Sequence, residues 1–213
     1  MIKAVVFDYN GVIINDYEYH EKAFKETLRK NGIGFTDKKV RELIGPGTIK
    51  FFELIKPDAS REEIEKLVEE KTKYYRELAK EDIISEDVKK TLIGLKKKGI
   101  KLGLLTHSSR KQIDDVVDKK TLSLFDIILA EEDLRKMDAY KPKKEGLLYI
   151  TKYFDCGKKE TLFVGDMLTD ALTAKNAGIR FVFINSPFTK ELIESRKLAF
   201  KEIKKLSELF HII

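Results

Sequence analysis

Five short apolar runs, separated by amphipathic helical patterns and polar loops, constrain this chain more than any other feature of it. They occupy residues 4–7, 102–105, 127–130, 162–164 and 181–184. All are rich in Val, Ile, Leu and Phe and do not alternate with polar residues, which is the pattern of strands buried on both faces. Between them, residues 86–98 place Val88, Leu92 and Leu95 on one helix face and stop at Gly99. Residues 168–177 stop likewise at Gly178, and both glycines suit a C-terminal cap. The alternation predicts an α/β fold, a Rossmann-like parallel sheet covered on both sides by helices.

One stretch breaks the alternation. Residues 15–80 carry no convincing strand, only helical signals. His20, Ala23, Phe24, Thr27 and Leu28 share the face of a helix ending near Gly32. Thr36 is placed to cap a second helix, with Val40, Leu43 and Ile44 inward. Ser60 and Glu63 make a capping box for another, with Ile64, Leu67, Val68, Tyr74, Tyr75 and Leu78 inward. The expected organisation is a core of residues 1–14 and 81–213, with a small all-helical cap, 15–80, inserted after the first strand.

Composition narrows the function classes. The 213 residues suffice for one substantial core and a small appendage. A hydrophobic content of 42% and a charged content of 37% describe a soluble protein with a heavily charged surface. No apolar run approaches the ~20 residues that span a bilayer, and the first is too short for a signal peptide. We expect a cytoplasmic protein with no membrane partner. The one cysteine, Cys156, excludes an internal disulfide and a cysteine-based zinc cluster. The charge content, the lack of Trp and the single glutamine, Gln112, make the composition thermophile-like. A net charge of +6 and a pI of about 9.1 permit nucleic-acid binding. The lysines, however, lie mostly on helix faces, and no arginine-rich arm or basic–aromatic stripe interrupts them. A solvated surface is the better reading, with attraction of anionic substrates secondary. No nucleic-acid partner is expected, and the chain should be a monomer or small homo-oligomer.

Ligands of open α/β sheets bind outside the carboxyl ends of the strands. Here the first strand ends in Asp8-Tyr9-Asn10-Gly11 and the second in Thr106-His107-Ser108-Ser109. Lys141-Pro142 precedes a helical stretch, and a later strand runs into Gly165-Asp166-Met167-Leu168-Thr169-Asp170. One hydroxyl, one lysine and three carboxylates would meet at one sheet edge. That set suits a phosphoryl group. Asp8 can attack phosphorus and form an acyl phosphate. Asp8 and Asp166 offer hard oxygen ligands for the Mg²⁺ that such a meeting of like charges needs. Thr106 can hold phosphate oxygens, and Lys141 can neutralise the nucleophile and the transferring group.

These four segments, in this order, resemble the four motifs of the haloacid dehalogenase superfamily of hydrolases, over almost the whole chain. The resemblance implies a Rossmann-like core with a helical cap that closes over the site. It makes Asp8 the nucleophile and Asp166 a Mg²⁺ ligand. The backbone carbonyl of Asn10 would be another ligand, and Asp170 would organise the metal's surroundings. Within the superfamily, Asp16-Tyr17-Glu18-Tyr19-His20 with Ala23-Phe24 is similar to the start of the cap in phosphoglycolate phosphatases and β-phosphoglucomutases. The expected substrate is a small phosphorylated metabolite. In the cap, Thr48 and Lys50 are candidates for contacting its leaving group; the plainer reading there is an exposed loop followed by a helix with Phe51, Phe52 and Leu54 in its core.

Asn10 departs from the phosphatase pattern, in which an aspartate two residues after the nucleophile serves as general acid and base. Asparagine hydrogen-bonds but has no exchangeable acid proton near neutral pH. Losing a positioned acid–base group typically costs roughly 10²–10⁴-fold. Several readings follow: a phosphatase variant made inactive to trap a complex, a slow or specialised phosphatase, a non-catalytic protein that binds phosphate esters, and, more weakly, a sugar-phosphate mutase. If the residue is natural, good leaving groups should be favoured. His107 is a candidate substrate contact and a weak substitute proton donor; His20 is better explained by packing or hinge bonding.

Overall fold

The computed structural model describes residues 1–44, 48–79, 83–185 and 193–213. Strand β1 (Ala4–Phe7) is followed by four helices, α1 (Tyr17–Lys30), α2 (Asp37–Leu43), α3 (Thr48–Ile55) and α4 (Arg61–Leu78). Next come α5 (Glu86–Lys97), β2 (Lys101–Leu105), α6 (Arg110–Val116), α7 (Lys119–Leu122), β3 (Ile127–Leu129) and α8 (Glu131–Lys136). The chain continues through α9 (Glu145–Tyr153), β4 (Thr161–Gly165), α10 (Leu168–Ala177), β5 (Arg180–Ile184), α11 (Ile193–Leu198) and β6 (Lys201–Ile203). Two compact units result: Met1–Asn15 with Ile83–Ile213, and Asp16–Asp82.

In the first unit all six strands run parallel, in the order β3-β2-β1-β4-β5-β6. Ala4 of β1 sits opposite Lys101 on one side and Thr161 on the other. Chain order therefore reverses at the β1–β4 pair, the switch point where such sheets open a crevice at their carboxyl ends. β1 and β4 are buried along their whole length, as central strands of a helix-covered parallel sheet are. Val6, Phe163, Phe181 and Phe183 pack with Leu105, Leu147 and Ile150 in one core cluster, each contributing about 1.5–3 kcal/mol by burial. Gly178 takes the left-handed conformation (φ +70) that ends α10, as its spacing predicts.

The edge strand β6 was not foreseen. Its Lys-Glu-Ile sequence has only Ile203 buried, and polar edge strands carry little apolar signal. The short helices α6 to α8 also escape periodicity, although Ser109 and Asp118 cap α6 and α7 through their side chains.

In the second unit, Phe24, Leu28, Val40, Phe51, Phe52, Ile64 and Leu67 form the core of a four-helix cluster. Phe24 stacks on Phe51 with centroids 3.8 Å apart, and Phe52 meets Phe51 edge-on. Thr36 accepts from the Lys39 N–H at 3.2 Å. Ser60 and Glu63 bond reciprocally at 3.2 and 2.7 Å. Two expected inward residues are corrected: Leu78 and Leu54 are exposed. The inward stripe of α4 runs Ile64, Leu67, Lys71 and Tyr75, so a lysine takes a core position. Gly45-Pro46-Gly47 lies outside the described residues. Among those described, no helix is long and apolar enough to cross a membrane.

Candidate active site

Because β1 lies between β2 and β4, the segments after these three strands emerge side by side. The Asp8 N–H donates to the Val164 carbonyl at 2.9 Å, carrying the β1–β4 ladder one residue past β1. The chain then turns sharply, with the Tyr9 carbonyl accepting from the N–H groups of Ile13 and Ile14 at 2.8 and 3.1 Å. Gly11 makes the turn possible in two ways. Its φ is +77, and a Cβ there would sit 2.1 Å from Asp166 Oδ2. Asp166 follows β4 and is 1% exposed.

Lys141 joins the carboxylates. Its Nζ lies 2.8 Å from Asp8 Oδ1 and 2.7 Å from Asp170 Oδ1. Asp170 is held by its other oxygen, which accepts from the Met167 N–H at 3.0 Å in the first turn of α10. All four side chains are buried. Burial, and then the Asp170 charge, push Asp8 up to about 6 against the pull of Lys141. Burial works against the Lys141 charge, but Asp170 and Asp8 outweigh it and hold the ammonium above the ordinary lysine value.

Asp8, Asp166 and Asp170 each bring a carboxylate oxygen within 4.8 Å of the others. Among the described residues, Lys141 pairs with two of these three buried carboxylates, which leaves an excess of negative charge in a place of low dielectric. That excess and the all-oxygen donor set fit a hard divalent cation such as Mg²⁺.

The loop after β2 supplies the polar rim. Thr106 is buried, and its Oγ1 accepts from the Ser108 N–H at 3.0 Å. The Ser108 hydroxyl donates to Asn10 Oδ1 at 2.7 Å, tying this loop to the turn after β1. His107 accepts the Lys141 N–H at its Nε2, at 2.9 Å. The ring is otherwise exposed, but desolvation at its bonded edge and the Lys141 charge hold it below the ordinary histidine value. A neutral ring accepting at Nε2 fixes the backbone that carries Lys141; it is not arranged as an acid.

A model of the haloacid dehalogenase-like hydrolase family matches residues 5–184. The chain belongs to that family. This hydrolase is 30% identical over 191 residues to pyrophosphatase PpaX of Bacillus mycoides, covering 86% of this chain and 84% of the relative. A haloacid dehalogenase-superfamily hydrolase of subfamily IA from Geobacter sulfurreducens superposes with a TM-score of 0.75 at 25% identity, covering 99% and 96% of the two chains. The β-phosphoglucomutase of Clostridium difficile shares the fold, with a TM-score of 0.74 at 24% identity over 98% and 93% of the two chains. The family and the fold thus agree with the motif resemblance.

The hydrolase has a second buried polar cluster, inside the helical unit. Lys71 Nζ lies 2.6 Å from His20 Nδ1, and His20 Nε2 lies 2.9 Å from Asp16 Oδ2. The Tyr75 hydroxyl donates to the same Asp16 oxygen at 2.7 Å. The His20 ring stacks on Tyr75, and the Lys71 ammonium lies over the rings of Phe24 and Tyr75. Burial pulls Lys71 down to about 7. His20 is thus bonded at both nitrogens, and Lys71 went unforeseen. The available signal was its four-residue spacing from Leu67 and Tyr75, which puts a cation on an apolar stripe. Of the cap candidates, Thr48 opens α3, and Lys50 is exposed and paired with Glu53 at 3.1 Å.

Proposed function

We propose that this hydrolase is a Mg²⁺-dependent phosphatase that acts on a small phosphorylated metabolite through an aspartyl phosphate at Asp8. The observation that carries the reading is the buried arrangement of Lys141 between Asp8 and Asp170, with Asp166 alongside. It holds the Asp8 carboxylate 2.8 Å from a positive charge in the crevice at the sheet's switch point. Asp8, Asp166 and the Asn10 carbonyl would hold the cation, which supplies charge neutralisation for the incoming phosphoryl group.

The chain's own groups account for the rest. An Asp8 oxygen attacks phosphorus as the bond to the leaving oxygen breaks. Lys141 and the Thr106 hydroxyl hold the non-bridging oxygens, where negative charge accumulates. Water then attacks the phosphorus of the acyl phosphate, the bond to Asp8 breaks, phosphate departs and the water's proton passes to solvent. Asn10 supplies neither the proton of the first step nor the base of the second, so turnover is slow. The pyrophosphatase relative makes inorganic pyrophosphate the first substrate to try.

The test is phosphate release from pyrophosphate, p-nitrophenyl phosphate and sugar phosphates, with Mg²⁺ and with EDTA. Release should need Mg²⁺, fall to background in Asp8→Asn, and rise by roughly 10²–10⁴-fold for sugar phosphates in Asn10→Asp. If neither the native chain nor Asn10→Asp releases phosphate while both bind phosphate esters, the protein is a binding module instead.

A further inference from the structure

Lys141 carries the positive charge of the site, yet it stands on irregular backbone. Residues 137–144, between α8 and α9, form neither helix nor strand. An ammonium on a flexible four-carbon stem is only as well placed as the backbone that bears it. Two side chains from other elements hold that backbone. His107 Nε2 accepts from the Lys141 N–H at 2.9 Å, and Asn176 Nδ2 donates to the Pro142 carbonyl at 2.9 Å. The His107 ring meets Tyr140 edge-on, with centroids 5.5 Å apart, and the Tyr140 hydroxyl donates to Glu131 at 2.6 Å. The elements that fix the Lys141 backbone also carry the groups it works with. His107 follows Thr106 in the loop after β2, and Asn176 lies on α10, whose first turn bears Asp170. We propose that His107 and Asn176 are positioning residues that clamp the Lys141-Pro142 segment, so that the ammonium stands where the non-bridging oxygens of the phosphoryl group gather charge. The inference rests on the phosphatase reading above.

Both His107 and Asn176 are exposed, so neither fills the core. Water could satisfy the Lys141 N–H and the Pro142 carbonyl in their place. What water cannot supply is a fixed position. A charged donor stabilises a transition state when it is already aimed at the place where charge develops. A misplacement of about 1 Å can cost roughly 10²-fold. Asp8 and Asp170 hold the ammonium at rest, but an arriving phosphoryl group competes with them for its protons. The ties to the backbone persist through that exchange. The tie at His107 depends on an acceptor rather than on a ring. Glutamine places its Oε1 as many bonds from Cα as histidine places Nε2, and it can accept the same N–H. Phenylalanine keeps the ring beside Tyr140 but accepts nothing.

The test compares the native chain with His107→Phe, His107→Gln, Asn176→Ala, Lys141→Met and the double variant of His107→Phe with Lys141→Met. Turnover is followed with p-nitrophenyl phosphate and Mg²⁺. Calorimetric titration with orthovanadate and Mg²⁺ reads affinity for the five-coordinate geometry of the transferring phosphorus. His107→Phe should lower kcat and vanadate affinity together by roughly 10-fold or more, with KM little changed. His107→Gln should restore both. Asn176→Ala should lose roughly 2- to 10-fold, and it carries the test if thermal unfolding shows that His107→Phe does not fold. In the Lys141→Met background, His107→Phe should weaken vanadate binding no further, because the group it positions is gone. Native kcat in both His107→Phe and Asn176→Ala overturns the inference and leaves the phosphatase reading standing. So does an equal loss from His107→Phe with and without the Lys141 ammonium, which would make the role of His107 structural only. Vanadate affinity that falls as expected, in a chain that releases phosphate neither natively nor as Asn10→Asp, supports the clamp and overturns the phosphatase reading. No vanadate binding and no release in any variant overturns both.

Discussion

At Gly11 one missing carbon decides whether two chain segments can meet. A Cβ there would be 2.1 Å from Asp166 Oδ2, and the φ of +77 adds a cost of about 1–2 kcal/mol for any L side chain. Relief requires Asp166 to move away from Gly11, which disturbs the carboxylate cluster. Gly11→Ala should therefore lose Mg²⁺ affinity by tenfold or more, a shift of ~1.4 kcal/mol, and titration calorimetry would read it. Unchanged affinity would show that Asp166 is not held for a cation. Lys141 is governed by the same close quarters. Its two carboxylates are buried, so it serves as the positive half of an ion-paired triad rather than as a surface charge.

Helix α4 shows how an element can carry a charge inward. Its capping box and its apolar stripe set its start and its buried face, and Lys71 falls on that face because 3.6-residue periodicity takes no account of side-chain type. There it meets His20, Asp16, Tyr75 and Phe24. Burial lowers its pKa from 10.5 to about 7. Between those pH values the unfolded chain binds the proton that the folded chain has released, so stability rises with pH across the window. Below about 7 both states are charged and the full desolvation cost remains. Thermal unfolding followed from pH 6.5 to 10 should show a rise on the order of a few kcal/mol in the native chain and a flatter curve in Lys71→Met. Parallel curves for the two proteins would contradict the burial argument.

For the whole molecule, the negative charge gathered at the switch point links folding to ligand. With three buried carboxylates and Lys141 among them, a cation that binds only the folded state stabilises it by mass action. At a hundred times its Kd, Mg²⁺ should add about 2.7 kcal/mol and raise the Tm, and EDTA should reverse the change. Asp166→Ala should remove most of this response. A Tm indifferent to Mg²⁺ would argue that Lys141 alone balances the cluster.

Much of this was legible in the order of residues. Non-alternating apolar runs report strands buried on both faces, and the terminal Gly178 reports a helix end, because both are local consequences of backbone geometry and burial. Three of the four motif segments also marked which residues follow the strands. Local order could not reveal strand β6, whose polar residues gain their place only by pairing with β5. Nor could it reveal Lys71 in a core position, the tie between Ser108 and Asn10, or the bond from Lys141 to His107. Those contacts join residues far apart in the chain, and each depends on how elements pack. The order of residues sets which chemical groups lie at the strand ends, whereas packing in three dimensions selects which of them touch, because hydrogen bonds and ion pairs act over a few ångströms of space.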